Sequence, residues 1–541
     1  MKSYLILISL LFVSNSMPEP SLRSLSSYVN PLTRVRENAV NNALNSLYPR
    51  TSVTMEDMIN GMIAARNSYG LYDCEVVYMV YKWIAYNIAF DCYNYVHNPS
   101  YLPIYDYDVY NQGKGGDEGI ANLFNTMVSK AFQLPAAILR GYSKVTNYQG
   151  KLPSQPDHIW NGINFEGGSY LIDVAWGMGE CYSDIFNPAF SNFYFCTDPE
   201  VFIRSHFPLQ SEWQLVYPAK TEKEFINMLK LTKNFYENGF KSISPDKATI
   251  TAESDGKFFF EITHEQVPKQ FSITLFYPKD NSYQQENNAC WVNKNPTSAE
   301  ITCFANYKGS NKLYIYGGTK GQDPLPFLLE YDVYVTKNGY DSKEAPILMK
   351  DFLQGRDIYL TQPLDNPLTR SKFYTFKIKS ADFSNMYIYN NDPYKGNSHL
   401  RELDYKAGGV FSGDYVYIFG TEVYIVTYQN GNYYQIVKYK TIRNSNQVVD
   451  ATFPRSYAAP KNTLYSPVLD KLEINKRYKF EIKCESCMRI LVKNDKYYEL
   501  NKSNSIFSGY ITIKYSGDNI VEIQNCNASA CSPMYYYWLS N

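Results

Sequence analysis

The stretch GKGGDEGIANLF (residues 113–124) decides how the first half of the chain is read. A glycine-rich turn leads into Ile120, Ala121, Leu123, Phe124, Met127 and Val128, apolar residues spaced as on one buried helix face. The helix is expected over GIANLFNTMVSKAFQL (119–134), with Pro135 ending it. At its head stands Asp117, a poor nucleophile but a good N-cap.

Working outward, CEVVYMVYKWIAYNIAF (74–90) predicts a second, amphipathic helix, with Val76, Val77, Val80, Trp83, Ile84 and Ile88 near one face. Downstream, PAAILRGYSKV (135–145) and HIWNGINF (158–165) read as strands. GGSYLIDVAW (167–176) completes a hairpin turned at Gly167-Gly168. On that hairpin His158 and Asp173 are placed to face each other, so that the carboxylate orients the imidazole as in a general base. A Cys at the head of the helix would complete an acyl-transfer triad, because the helix dipole favours thiolate. The chain has Asp117 there, and a carboxylate beside His158 holds the ring as imidazolium.

These stretches together resemble the transglutaminase-like superfamily, most closely its kyphoscoliosis-peptidase-like branch. The resemblance rests on WIAYNIAFD (83–91), GGDEGIA (115–121), QLPAAILRGYSK (133–144), HIWN (158–161), SYLIDVAWG (169–177) and YFCTDPEVFIRSHFPLQSEWQLV (194–216). It covers about residues 65–220, six landmarks in order. It implies a papain/transglutaminase-like core in which the family's His falls on His158 and its Asp on Asp173. The nucleophilic Cys falls on Asp117, so the resemblance implies a remnant triad without its thiol. Cys92 is the nearest substitute thiol in sequence. No cofactor and no metal are expected. Trp83, Trp160 and Trp176 are expected in the core, and Arg140 and Lys144 as solvated strand-edge charges.

The whole chain has 541 residues, about three to four domains by length. Its hydrophobic content of 45% supports buried cores, and a net charge of -1 gives no footprint for nucleic acid. Tyrosine is abundant, 52 against 6 Trp, which leans toward β structure. MKSYLILISLLFVSNS (1–16) has a Lys, a short apolar core and small polar residues, the pattern of a secretory signal cleaved near Ser16 to Met17. No later stretch is apolar enough to span a membrane. The ten cysteines fall as neighbours in sequence, Cys74 and Cys92, Cys181 and Cys196, Cys290 and Cys303, Cys484 and Cys487, Cys526 and Cys531. Export favours disulfides, although sequence does not fix their connectivity and the last four have spacing that can also hold zinc. Asn501-Lys502-Ser503 and Asn527-Ala528-Ser529 are glycosylation sequons.

Beyond about residue 235 the pattern turns all-β, with KFFFEITH (257–264), FSITLFYP (271–278) and KLYIYGG (312–318) as strands. IYLTQPLDNPLTRSKFYTFKIK (358–379) echoes LYSPVLDKLEINKRYKFEIK (464–483). Each copy continues through Asn391-Asp392 or Asn494-Asp495 to Phe-Ser-Gly, at 411–413 or 507–509, which indicates tandem domains. The expected fold class is α+β, a papain/transglutaminase-like core followed by about three tandem β-sandwiches. The boundaries are 1–16 signal, 17–54 extension, 55–234 core, and sandwiches at 235–337, 338–447 and 448–541. Three functions fit this reading. The chain is a secreted, inactive transglutaminase-like protein that binds an extracellular protein or glycan, a live cysteine-type peptidase or glutamine acyltransferase with a displaced thiol, or a structural matrix component.

Overall fold

The structure is a computed structural model that describes residues 20, 28–144, 150–253, 256–267, 269–279, 282–286, 289–336, 346–348, 358–364, 366–369, 373–391, 398–416, 422–442, 455–456, 463–467, 471–515, 517, 520–527 and 530–540. The signal-like stretch 1–16, Asp392 of the repeat pattern and Ala528-Ser529 of the second sequon lie outside the described residues. Among the described residues no helix is long and apolar enough to cross a membrane. The chain divides into two compact units, one of Met1–Asn238, Asp246–Thr249 and Phe327–Glu330, the other of Gly239–Pro245, Ile250–Pro326 and Tyr331–Asn541.

In the first unit helices α1 (Glu37–Asn45), α2 (Met55–Tyr69), α3 (Asp73–Asn87), α4 (Cys92–His97), α5 (Asp106–Gln112), α6 (Asp117–Phe132) and α7 (Val174–Met178) accompany an antiparallel sheet. Its strands β1 (Ala136–Ser143), β2 (His158–Phe165), β3 (Gly168–Ile172) and β4 (His206–Pro208) run in the order β3-β2-β1-β4. Helix α3 differs from its expected amphipathic form, since Cys74 through Ala85 are all buried. The reason lies upstream. Arg36 donates to buried Glu75 from its backbone N and Nε, both at 2.8 Å, and from Nη2 at 2.6 Å. Lys82 Nζ donates to Glu37 at 2.6 Å and Asn41 at 2.8 Å. Residues read as an extension thus satisfy charges that α3 buries, and Val40 and Ala43 of α1 join the same core.

Helix α6 presents Ile120, Leu123, Phe124, Met127 and Val128 to that core. Gly119 is required where it stands, because a Cβ there would meet the Pro103 carbonyl oxygen at 2.2 Å. The β2–β3 hairpin turns on Glu166 (φ 50°) and Gly167 (φ 73°), one residue earlier than Gly167-Gly168. Gly168 pairs with Phe165 inside the ladder, so the two positive-φ residues between them make the two-residue turn. Strand β3 also stops sooner than expected. Asp173 caps α7, accepting from Trp176 N at 2.9 Å, which bends the chain out of the sheet.

Four disulfides form, and three join neighbours in sequence: Cys290–Cys303, Cys484–Cys487 and Cys526–Cys531. The four C-terminal cysteines are therefore two local bridges rather than a zinc set. In the first unit the neighbour pattern fails. Cys92 bonds Cys181 across 89 residues, tying α4 to the hairpin of Gly179–Tyr182 and Ile185–Pro188, while Cys74 and Cys196 stay reduced and buried.

In the second unit Cys290–Lys294, Ser298–Phe304, Lys257–His264 and Phe240–Ser244 form one sheet, and Lys269–Lys279 pairs with Gly309–Thr319 and Ser282–Glu286 in another. Two further sheet pairs carry the repeat. Tyr359–Gln362, Phe373–Lys379, Val410–Val416 and Asp404–Lys406 are ordered as Thr463–Ser466, Arg477–Lys483, Ile506–Thr512 and Asn501–Ser503 are. The two Phe-Ser-Gly stretches fall in corresponding strands, and the echo extends to side chains. Tyr439 Oη donates to Pro363 O and Tyr537 Oη to Pro467 O, each at 3.0 Å. Phe376–Tyr439 and Phe480–Tyr537 meet edge to face at 5.5 and 5.7 Å.

Candidate functional site

The head of α6, the first residue of β2 and the end of β3 converge. Asn161 fixes the helix against the sheet by donating from Nδ2 to Ala121 O at 3.1 Å and Ala137 O at 3.3 Å. Asp117 is the first helical residue and not the N-cap, a position held by Gly116 without a side-chain bond. Its Oδ1 accepts from Glu118 N at 2.9 Å. Its Oδ2 accepts from Ile159 N at 3.1 Å and lies 3.0 Å from His158 Nδ1. On the other side of the ring, His158 Nε2 lies 2.7 Å from Asp173 Oδ2. The three residues read from the sequence are thus brought together in the order helix head, imidazole, orienting carboxylate.

A fourth residue joins them. His206, the first residue of β4, places Nε2 at 3.0 Å from the same Asp173 Oδ2, and its Nδ1 is 2.8 Å from Ser205 Oγ. In the sequence His206 stands in SHFPLQSEW (205–213), with no spacing that marks it as functional. The available signal was rarity, since the chain has only five His. The cluster is closed off. Asp173 and His206 are 0% exposed, His158 4% and Asp117 8%. Phe202, Trp176 and Trp160 ring His206 at centroid distances of 4.0, 4.5 and 5.1 Å. Leu102 and Tyr95 sit against Gly116 at the helix head, and Tyr95 Oη donates to Asp157 O at 3.1 Å. Trp160 and Trp83 are core as expected, while Trp176 is half-buried.

Electrostatics assign the protons. Burial works against the His158 imidazolium, but the charge of Asp173 and the hydrogen bonds to Asp117 and Asp173 outweigh it and raise the group to about 10. Burial likewise disfavours ionised Asp173, yet the His158 charge and the hydrogen bonds from both histidines hold it well below the usual carboxylate range. His206 goes the other way, lowered to about 4 because burial exceeds the help from Asp173. His158 is therefore a doubly protonated ring between two carboxylates, and His206 is neutral. Such a ring donates hydrogen bonds and has no lone pair with which to take a proton. One donor atom each from His158, Asp173 and His206 lies within 4.8 Å of the others.

Among the described residues no thiol hydrogen-bonds to this cluster. Cys92 is bonded to Cys181, which removes it as the substitute nucleophile. Burial pushes Cys74 up to about 11 and Cys196 well above the ordinary thiol value. Arg140 is exposed and paired with Glu118, but it stands in the middle of β1, between β2 and β4, and not at a strand edge. Lys144 is not solvated, being 1% exposed, with Nζ donating to the carbonyls of Phe225 and Met228.

A KY-like, immunoglobulin-like domain matches residues 222–346. Kyphoscoliosis peptidase of Mus musculus is 28% identical over 297 residues, 52% of this chain and 41% of that protein. The Homo sapiens kyphoscoliosis peptidase is 29% identical over 275 residues, 48% of this chain and 38% of that protein. Hillarin of Drosophila melanogaster is 30% identical over 141 residues, 23% of this chain and 17% of that protein. The chain thus spans about two fifths of the length of the kyphoscoliosis peptidases it matches. Over about half its length the chain is thus similar to the kyphoscoliosis peptidases, and it carries a match to a KY-like, immunoglobulin-like domain, so it resembles the kyphoscoliosis-peptidase-like branch of the transglutaminase-like proteins.

Proposed function

We propose that this chain is a secreted protein of the kyphoscoliosis-peptidase-like branch that has lost acyl-transfer chemistry and serves as a binding protein for an extracellular protein or glycan. The observation that carries this reading is Asp117 Oδ2 at 3.0 Å from His158 Nδ1, in the place where a thiol would have to stand. A carboxylate there forms an ion pair with the imidazole instead of surrendering a proton to it. Residues 55–234 act as a folded core, and the segments 235–337, 338–447 and 448–541 act as three tandem β-sandwiches that carry the binding surfaces. The apolar stretch 1–16 is the export signal, and exposed Asn501 and Asn527 are the glycan acceptors. Four disulfides support an oxidising compartment.

The test is amine incorporation into a glutamine-donor protein together with a peptide-hydrolysis screen. The wild-type chain is expected to be silent in both. Turnover by the wild type that survives Asp117→Ala would overturn the reading. For the binding half, a pull-down with the full chain from secreted fractions is expected to retain a partner, and an empty, unsaturable result would contradict it.

A further inference from the structure

His206 alters what the cluster can hold. We propose that His158, Asp173 and His206 form a site for one divalent transition-metal ion of the Zn2+ class, with Asp117 and Ser205 as the outer partners that aim the two rings. The inference rests on the thiol-free reading of the site given above.

Three features support it. First, one donor atom from each residue falls within 4.8 Å of the others, and all three residues are buried. Second, the far nitrogen of each imidazole is already engaged: His158 Nδ1 by Asp117 Oδ2 at 3.0 Å, His206 Nδ1 by Ser205 Oγ at 2.8 Å. Both Nε2 atoms are thereby turned onto one carboxylate oxygen, at 2.7 and 3.0 Å. Metal-bound histidines are held in this way, the second ring nitrogen donating to an oxygen that fixes tautomer and orientation. Third, Asp173 Oδ1 is tied to Trp176 N at 2.9 Å, leaving Oδ2 as a single inward-facing donor. Tetrahedral ligation at about 2.0–2.2 Å sets donor atoms about 3.3–3.6 Å apart, so each Nε2 would move away from Oδ2 by roughly 0.3–0.9 Å while the two Nε2 atoms settle at the same spacing from within the 4.8 Å they now span.

The donor set selects the ion. Two imidazoles and one carboxylate suit Zn2+, Co2+ or Ni2+ over Mg2+ and Ca2+, which prefer all-oxygen shells. Binding exchanges protons for metal in a balanced step. The His158 Nε2 proton leaves to solvent, the His206 proton moves from Nε2 to Nδ1, where it is donated to Ser205 Oγ, and three ligand–metal bonds form. The ion replaces one positive charge with two beside the carboxylates of Asp117 and Asp173. Nothing is oxidised or reduced.

The experiment uses the full chain, stripped with dipicolinate and checked for folding by near-ultraviolet circular dichroism. Titration with Co2+ is expected to give a visible d–d band that saturates at one ion per chain and is abolished by Zn2+. His206→Gln should weaken binding at least tenfold. Ser205→Ala, which keeps every ligand and disturbs the core least, should weaken it by about tenfold. A folded wild type that binds neither ion at 100 µM (roughly a weak-site concentration by the affinity scale) would overturn the proposal. Saturation unchanged in both variants would overturn it too, since the ion would then sit elsewhere. Failure here is separable from failure of the functional reading. A silent turnover screen without metal binding breaks only this inference, whereas turnover by a metal-free chain breaks the reading beneath it.

Discussion

In the first unit two carboxylates and two imidazoles meet in one buried cluster, whereas in each copy of the repeat the matching buried polar contact is a single neutral phenol. Tyr439 on Pro363 O and Tyr537 on Pro467 O have the same 3.0 Å length and the same aromatic neighbour. A neutral hydrogen bond of this kind contributes about 1 kcal/mol net and imposes little when formed. It recurs because each sheet pair meets the same local requirement. The charged cluster carries a desolvation penalty of several kcal/mol per ion, on the order of what its own attraction returns. Well-packed apolar side chains would stabilise the same place at least as well. The difference teaches that the repeat contact asks little beyond the fold that forms it, whereas the Asp117–His158–Asp173–His206 cluster holds together only while its charges stay balanced.

That contrast breaks most sharply at Asp173. Asp173→Ala leaves two histidines facing an apolar hole and is expected to cost about 3–5 kcal/mol, the range for removing one partner of a buried pair. Denaturant unfolding of the full chain, followed by tryptophan fluorescence, checks it. A loss under 1 kcal/mol would make the cluster no more demanding than the phenols.

The next effect is pH. His158 has its folded value raised to about 10, so its contribution is complete below the unfolded value near 6.5 and is lost as pH rises through 10. His206 is lowered to about 4, so the unfolded chain takes up its proton first and stability falls as pH drops from 6.5 toward 4. Asp173 adds stability above the unfolded carboxylate value near 3.8 that is lost below it. The cluster's own contribution should therefore be greatest near pH 6.5, with each proton giving a slope of up to about 1.4 kcal/mol per pH unit on either side. It is read as the difference between the wild type and the double-histidine variant, because buried Lys144 and Lys230 add slopes of opposite sign at alkaline pH. The paired variant His158→Gln, His206→Gln should flatten both limbs in a pH series of melting curves.

Asp117→Cys sharpens the comparison chemically. The new thiol would face His158 at the head of α6, where the helix terminus and the imidazolium favour thiolate. Iodoacetamide should label it faster than free cysteine at pH 6, with Cys74 and Cys196 unlabelled in the wild type. The smallest effect belongs to the repeat. Tyr439→Phe and Tyr537→Phe should each cost about 1 kcal/mol and match each other, as two copies of one contact would. Unequal losses would argue against equivalence.

Much of this was legible in the chain. The strand 158–165 is observed with those bounds, and the helix read at 119–134 is observed at Asp117–Phe132, because both are local patterns of burial. The Phe-Ser-Gly landmarks fell in matching strands for the same reason. Features that depend on distant partners were not legible. Cys92–Cys181 joins residues 89 apart that meet only once α4 reaches the hairpin. Helix α3 is buried on every side because Arg36 and Glu37 arrive to neutralise Glu75 and Lys82. His206 gave no spacing to read, since it comes to Asp173 from the far edge of the sheet through β4. Asp117 looked like a cap, yet its Oδ2 points across the helix head to Ile159 N and His158 Nδ1 of β2 rather than back along the helix.

The central claim is that Asp117 stands in the nucleophile's place and locks His158 as an imidazolium. The most direct measurement is a 15N NMR titration of the histidine rings in the chelator-treated chain, with His158 assigned by His158→Gln. The account predicts that both His158 nitrogens stay protonated through pH 8 and titrate near 10, and that Asp117→Ala lowers that value. A His158 ring that is a neutral tautomer at pH 7.5 would contradict it.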